Sequence, residues 1–422
     1  MVVLFLCIGA GTGWVVSRVA GAEQSDTKKP PAPAVAPVAA QSPVAVTKPA
    51  AKVSKDDLRA LVDGNNAFAL KMYAQLSTME GNIFCSPYSI SSALGMTYAG
   101  ARGNTATEIE KALCFGLGQE RLHTAFETMN ADLAGRLKGS GQKLNVTNGL
   151  CLTGADVSDS FKALLQKHYG AEVFGGDLDK INGWVKTKTE GKIEKILEQL
   201  DPNSVCVLLN AIYFKGIWER QFNENSEQPF KVSSVKQVKV PLMYQKGEFK
   251  LLEKKDFQAA VLPYMGRKLS MVVVLPREVG GLPALEKKLS PKNLTLWLSE
   301  LDKSRERKIG LYLPRFKVET KYDLTPPFQQ LGMKDAFGNA DFSGMGWPKG
   351  KLSISQIKHR AFCEVNEEGT EAAAFTVVDF AIGSMPRYPT FRADHPFLYL
   401  IRDNATGGIL FMGRLVNPEA KK

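Results

Sequence analysis

Histidine is scarce in this chain, with four among 422 residues, and there are six cysteines. No C-x-x-C pair occurs and histidines are few, which argues against a zinc site or a redox dithiol. After Cys7 the other five, Cys85, Cys114, Cys151, Cys206 and Cys363, are odd in number and widely spaced, which argues against a disulfide scaffold. Four of them sit in apolar or β-rich runs (NIFCS, NGLCL, SVCVLL, AFCEV) and read as buried thiols acting as small hydrophobes. G-x-S-x-G, H-E-x-x-H and G-x-x-x-x-G-K-[ST] are all missing. GAGTG (9–13) lacks the dinucleotide-loop spacing. His123, His168, His359 and His395 are far apart, so an enzyme would need a triad assembled in space. No internal repeat is present. The reading is of a non-enzyme without cofactor, metal or nucleic-acid partner.

What is present is ample apolar sequence, 44% hydrophobic against 23% charged, enough for one large domain or two to three ordinary ones. The formal net charge is +11, and its densest cluster is KSRERK (303–308), diluted by Glu306. That cluster reads first as a solvated turn and second as a weak polyanion patch. The N-terminal run MVVLFLCIGAGTGWVV is apolar but short for a bilayer span, and VAGA (19–22) offers small residues for cleavage after Ala22. Residues 1–22 therefore read as a signal peptide or N-terminal anchor, and 23–54 as a Pro/Ala-rich spacer. The main domain spans 55–422. The expected location is secreted, extracellular or periplasmic, or tethered to a membrane by the N-terminal segment.

In the main domain, 56–76 has apolar residues at helical spacing, SPYSISSALGMTYAGA opens with a Ser-Pro helix start, and NTATEIEKAL has a capping-box pattern from Thr105 to Glu108. Strand-like runs follow: KLNVTNGLCL, SVCVLLNAIYF, KLSMVVVLP, KIGLYLP, and a final hairpin of FLYLIRD and GILFMGRL around NATGG. Helices lead and strands dominate later without βαβ alternation, which predicts an α+β fold. One stretch disagrees with itself. In VNEEGTEAAAFTVVDFAIGSMPRYPTF (365–391), Glu371 and the alanines favour helix and Thr376–Val378 favour strand. Gly383, Pro386 and Pro389 then break both. Such local conflict marks a candidate functional site.

From about residue 60 to Pro418 the chain resembles the serpins. NIFCSPYSISSALGMTYAGARGNTATEIEKAL is similar to the family's helix B to C region, INGWVKTKTEGKIEKIL to helix F, and VLLNAIYFKGIWERQF to the strand ending at the breach tryptophan, here Trp218. VNEEGTEAA resembles the hinge, and FRADHPFLYLIRDNATGGILFMGRLVNP the C-terminal strands. The resemblance implies three β-sheets, surrounding helices and an exposed reactive loop at about 367–391. It further implies a suicide inhibitor, acting as a monomer, whose cleaved loop inserts into the main sheet while a protease is bound as an acyl-enzyme. The resemblance assigns Glu367, Glu368, Gly369, Thr370, Glu371, Ala372, Ala373 and Ala374 to the hinge. It assigns Ser86, Ser89, Asn210 and His359 to a polar shutter under the sheet, and Arg315 with Glu367 to an ion pair at its head.

Strand periodicity tests whether this loop suits insertion. From Thr370 one face carries Thr370, Ala372, Ala374, Thr376, Val378, Phe380 and Ile382; the other carries Glu371, Ala373, Phe375, Val377, Asp379 and Ala381. Both acids fall on the second face, so the first is fit for burial. Small alanines enter between strands easily, and Gly369 would allow unusual backbone angles. Phe375 departs from the family's usual small residue. Family spacing from Glu367 implies a reactive bond at Gly383–Ser384, with Phe380, Ala381, Ile382, Met385 and Arg387 setting specificity. Glycine there suits elastase-like or subtilisin-like enzymes, with papain-like clefts as a further option; Arg387 is the rival anchor for a trypsin-like one. The competing reading is a non-inhibitory serpin: a carrier, chaperone or storage protein.

Overall fold

In this computed structural model the described residues are 2–8, 53–370 and 388–419. In chain order they form β1 (Val2–Ile8), α1 (Lys55–Leu76), β2 (Ile83–Cys85), α2 (Pro87–Gly100), α3 (Gly103–Leu113), α4 (Gln119–Leu137), β3 (Lys143–Leu152) and α5 (Asp159–Tyr169). Next come β4 (Glu172–Gly175), α6 (Leu178–Lys188), β5 (Ser204–Ile217), β6 (Glu224–Lys231), β7 (Gln237–Glu253), β8 (Phe257–Pro263), β9 (Leu269–Pro276), α7 (Leu282–Lys288) and α8 (Pro291–Lys303). The C-terminal part holds β10 (Glu306–Pro314), β11 (Phe316–Asp323), α9 (Thr325–Gln330), β12 (Leu352–Val365), β13 (Gly369–Thr370), β14 (Thr390–Arg392), β15 (Phe397–Asp403) and β16 (Ile409–Leu415). Helices crowd the first half and strands the second, as the α+β reading has it.

Helix starts follow local chemistry. Ser54 caps α1 through a capping box with Asp57, and Ser86 caps α2 ahead of Pro87. The capping box read at Thr105–Glu108 does not form. α3 already starts at Gly103, and Thr105 lies inside it with its hydroxyl accepting from the Asp341 amide at 2.9 Å. Glu108 instead accepts from the amides of Lys334 and Asp335 at 2.7 and 2.8 Å. A tertiary contact has claimed both ends of the local motif.

The main sheet runs β11–β12–β5–β3–β4, with β13 and β1 between β12 and β5. The other strands form β14–β10–β7–β8–β9–β15–β16–β2, with β6 on β7. Seventeen-residue β7 belongs to both halves of this array, pairing β6 and β10 at one end and β8 at the other. The three expected sheets are therefore present, two of them continuous through one strand.

β5 shows why its sequence lacks alternation. Its odd positions Val207, Leu209 and Ala211 pack under Ile181 and Val185 of α6 with Ile193, Ile196 and Leu197. Its even positions Cys206, Leu208 and Ile212 belong to the main core. A strand buried on both faces reads as one apolar run. α2 is buried along all its residues and lies beneath β5 and β16, which explains its small side chains.

Candidate functional site

The site begins where β12 ends. Asn366 closes a tight turn: its side-chain oxygen accepts from the Glu368 and Gly369 amides, each at 3.1 Å, and its own amide donates to the Gly369 carbonyl at 2.9 Å. The turn sends the chain back as β13 between its two neighbours. Thr370 pairs with Val365 of β12 and Gly216 of β5, and Gly369 with Ile217. Thr370 is 4% exposed, and its hydroxyl lies 2.8 Å from that of Tyr264. The assignment of Thr370 to a buried face is thus met.

Trp218 latches this turn from β5. Its ring stacks on Tyr264 at 4.6 Å with 8° between planes. Its indole N–H donates to the Asn366 carbonyl at 3.0 Å and its amide to the Glu368 carbonyl at 2.7 Å. The Phe222 amide adds a bond to the Glu367 carbonyl at 2.9 Å. Tyr264, Asn366 and Phe222 were not legible as site residues, since each acts through a tertiary hydrogen bond that no local pattern announces. The expected ion pair is present: Arg315 meets Glu367 at 2.5 Å, with the side chains 50% and 19% exposed. At that exposure it contributes about 0–1 kcal/mol.

Gly369 is needed, but not for the reason read from sequence. Its φ is not among the positive ones. A Cβ there would stand 1.9 Å from the Gly216 carbonyl oxygen and 2.7 Å from the Ile217 Cα. Close backbone approach, not an unusual backbone angle, excludes a side chain.

The shutter residues do come together. The Ser86 hydroxyl donates to the Leu410 carbonyl at 2.7 Å, and the Ser86 amide donates to His359 Nε2 at 3.1 Å, so that nitrogen carries no proton. The Ser89 hydroxyl donates to the Asn210 side-chain oxygen. The Asn210 amide donates to Asn148 at 2.7 Å, and Asn148 to the Tyr169 carbonyl at 2.7 Å. Asn148, 1% exposed, is a member that sequence reading missed. The network ties β3, β5, α2 and β12 across the sheet's underside with its polar groups paired.

Past Thr370, the residues Glu371, Ala372, Ala373, Ala374, Phe380, Ala381, Ile382, Gly383, Ser384, Met385 and Arg387 lie outside the described residues, as does nearly all of the 23–54 spacer. The description resumes at Tyr388, whose ring has Lys246 Nζ at 4.4 Å and Lys308 Nζ at 5.2 Å from its centroid. β14 then pairs in parallel with β10. Both ends of the segment are therefore fixed, on different sheets. In the basic cluster 303–308, Arg307 pairs with Glu253, and Glu306 pairs with Arg267 from outside the cluster.

The histidines form no triad. His123 and His168 stand 6.3 Å apart, but His123 is bonded to the Tyr169 hydroxyl and burial pushes its pKa down to about 3. Cys85, Cys151 and Cys363 are buried free thiols, Cys206 is buried and Cys114 is half-buried. Burial raises Cys85 to about 12 and Cys151 to about 11, which makes them poor nucleophiles at neutral pH.

With this geometry in hand, comparison with known proteins is specific. The profile of the family described as "Serpin (serine protease inhibitor)" matches residues 63–418. Serpin B6 of Pongo abelii is 40% identical over 379 residues, covering 85% of this chain and 99% of the relative. Leukocyte elastase inhibitor of Equus caballus is 38% identical over 382 residues, covering 85% and 99%. The crystal structure of human thyroxine-binding globulin superposes with a TM-score of 0.77 at 28% identity, covering 86% of this chain and all of that one.

Gly369→Ala should expel β13 from its place, because the contact at 1.9 Å is to backbone and cannot rotate away. The expected cost is about 1–3 kcal/mol. The Trp218 and Thr370 amides should also lose hydrogen-exchange protection. Unchanged protection at both would refute the steric account.

Proposed function

The chain belongs to the serpin family, and from that premise we propose that it is a suicide-type inhibitor that traps a protease by inserting its cleaved loop into the main sheet. The observation that carries the reading is β13. Two hinge residues already lie in ladder register between β5 and β12, with Thr370 buried on Tyr264. Serpin loop insertion is an established case of strand addition. In the proposed reaction the protease's nucleophile adds to the Gly383 carbonyl. The bond to Ser384 breaks, and the Ser384 nitrogen leaves with a proton. The loop, now free at its C-terminal end, follows Thr370 into the sheet and carries the acylated protease with it.

Glycine before the scissile bond offers no deep anchor, which fits an elastase-like or subtilisin-like target better than a trypsin-like one. A relative named as an elastase inhibitor supports the same choice. The protein is proposed to act as a monomer outside the cell or tethered to its envelope, as its N-terminal run and spacer suggest. The carrier alternative draws on the thyroxine-binding neighbour. Against it, the cleft of about 450 Å³ beside Trp218 is lined by the charged side chains of Glu219, Arg220, Glu248, Arg267 and Glu306, whereas carrier pockets are mainly apolar.

Thr370→Arg tests insertion. The guanidinium would have to enter a position that is 4% exposed, at a cost of at least several kcal/mol. The variant should be cleaved by elastase without forming a complex that survives denaturing electrophoresis. An unchanged yield of complex would refute burial of this face during trapping. Mass spectrometry of the peptide released from the wild-type complex tests the bond: a new N-terminus at Ser384 is expected, and one at Tyr388 would assign cleavage to Arg387 instead.

A further inference from the structure

The slot between β5 and β12 is shared by two pieces of chain. β13 holds its head. Lower down, β1 pairs on both sides: Val2 with Asn210 and His359, Leu4 with Leu208 and Ile357, Cys7 with Ser204 and Ser353. β1 and β13 are both antiparallel to their neighbours, so they run in the same direction. Counting down from Thr370 shows what β1 displaces. On β12 the partners step from Val365 to His359, and on β5 from Gly216 to Asn210. Each count is six, so Val2 stands where residue 376 of an inserted loop would stand. Val2 to Phe5 hold the positions of Thr376 to Asp379 on both edges before the first register shift.

The two sequences suit the same place. VVLFLCI is an uncharged apolar heptapeptide, and the loop's TVVDFAI has the same length and one acid. A central strand flanked on both edges favours β-branched and apolar residues and disfavours charge. The site also lies over the shutter, since Val2 is registered between Asn210 and His359.

We propose that the β5–β12 slot is a peptide-binding site for the chain's own Val2–Ile8, and that this strand competes with the cleaved loop. The competition rests on the insertion reading above; the occupancy does not. With β1 seated, the loop has room for residues 371–375 and no more, so a target protease would be acylated but not trapped. Removal of the segment, by cleavage after Ala22 or by its engagement with an apolar phase, opens the slot. The same run would thus serve as an export or anchoring segment when drawn into an apolar phase and as an inhibitor of the inhibitor while it is retained and seated in the slot.

Cys7 provides the test. Directly opposed residues of antiparallel strands have Cα atoms about 4.5–5.5 Å apart, within the range a disulfide spans. In full-length Ser353→Cys, mild oxidation of the native protein should join Cys7 to the introduced thiol, found by peptide mapping, and should fail in denaturant. An introduced thiol that stays reduced, or joins another cysteine, overturns the occupancy. Competition is read separately with elastase. Full-length Leu4→Pro, which breaks the β1 ladder, should need several-fold fewer inhibitor molecules per trapped protease than wild type. The cross-linked variant should be cleaved without trapping. Equal stoichiometry in all three overturns the competition. If no form traps any protease, the inhibitory reading has failed, and thermal unfolding after loop cleavage still decides the competition. The midpoint should rise in Leu4→Pro and not in the cross-linked chain; an equal rise in both overturns it.

Discussion

Backbone pairing in the slot between β5 and β12 is the constraint on which the molecule turns. A strand's N–H and C=O groups need partners when water is excluded. β5 has β3 on one side and β12 has β11 on the other. On the sides that face each other, β13 supplies partners at the top and β1 further down. Between them, opposite 211–215 and 360–364, no described strand stands. Two features elsewhere make sense only against this slot. The glycine at 369 allows the chain to enter it, and Trp218 on Tyr264 holds the entrance in shape.

The polar network beneath the slot belongs to the same logic. His359, Asn210 and Asn148 lie on β12, β5 and β3, and they are paired to one another or to α2 and the Tyr169 carbonyl. Buried polar groups cost little while satisfied and a great deal while not. Parting β5 from β12 must therefore exchange these bonds rather than simply break them. A filler that arrives at this level, whether residue 2 or residue 376, enters where that exchange occurs.

Much of the fold was legible because it is local. Ser-Pro at 86–87 starts α2, the runs at 204–217 and 269–276 are strands, and NATGG joins the last two strands. Thr370 was legible as a residue on the face fit for burial, and it is buried; the residues after it whose propensities conflict lie outside the described ones. What failed to show was set by partners distant in sequence. Thr105 and Glu108 match a capping box, but Asp341, Lys334 and Asp335 claim them. Gly369 was read as a residue of special φ, whereas the Gly216 carbonyl is what forbids a side chain. The N-terminal run is the clearest case: its composition says apolar and short, which describes a leader and a central strand equally well. Its register against β5 and β12, some 200 and 350 residues away, cannot be deduced from the run itself.

Competition for the slot is then a contest between sequence and tether. Val2–Ile8 is the better central strand, since it carries no charge where the loop has Asp379. Its link to α1 passes through residues 9–52, and chain closure over that length costs roughly 3 kcal/mol. The loop begins one residue beyond Thr370 and needs almost no closure, but while intact it is also held at Tyr388 and β14. Following β13 downward would pull an uncut loop against that second anchor. Cleavage removes the second tether and leaves the worse strand with the shorter one. The outcome rests on the difference between a few kcal/mol of closure and the cost of placing Asp379 in a central strand. That balance shifts entirely to the loop once the N-terminal segment is cut away.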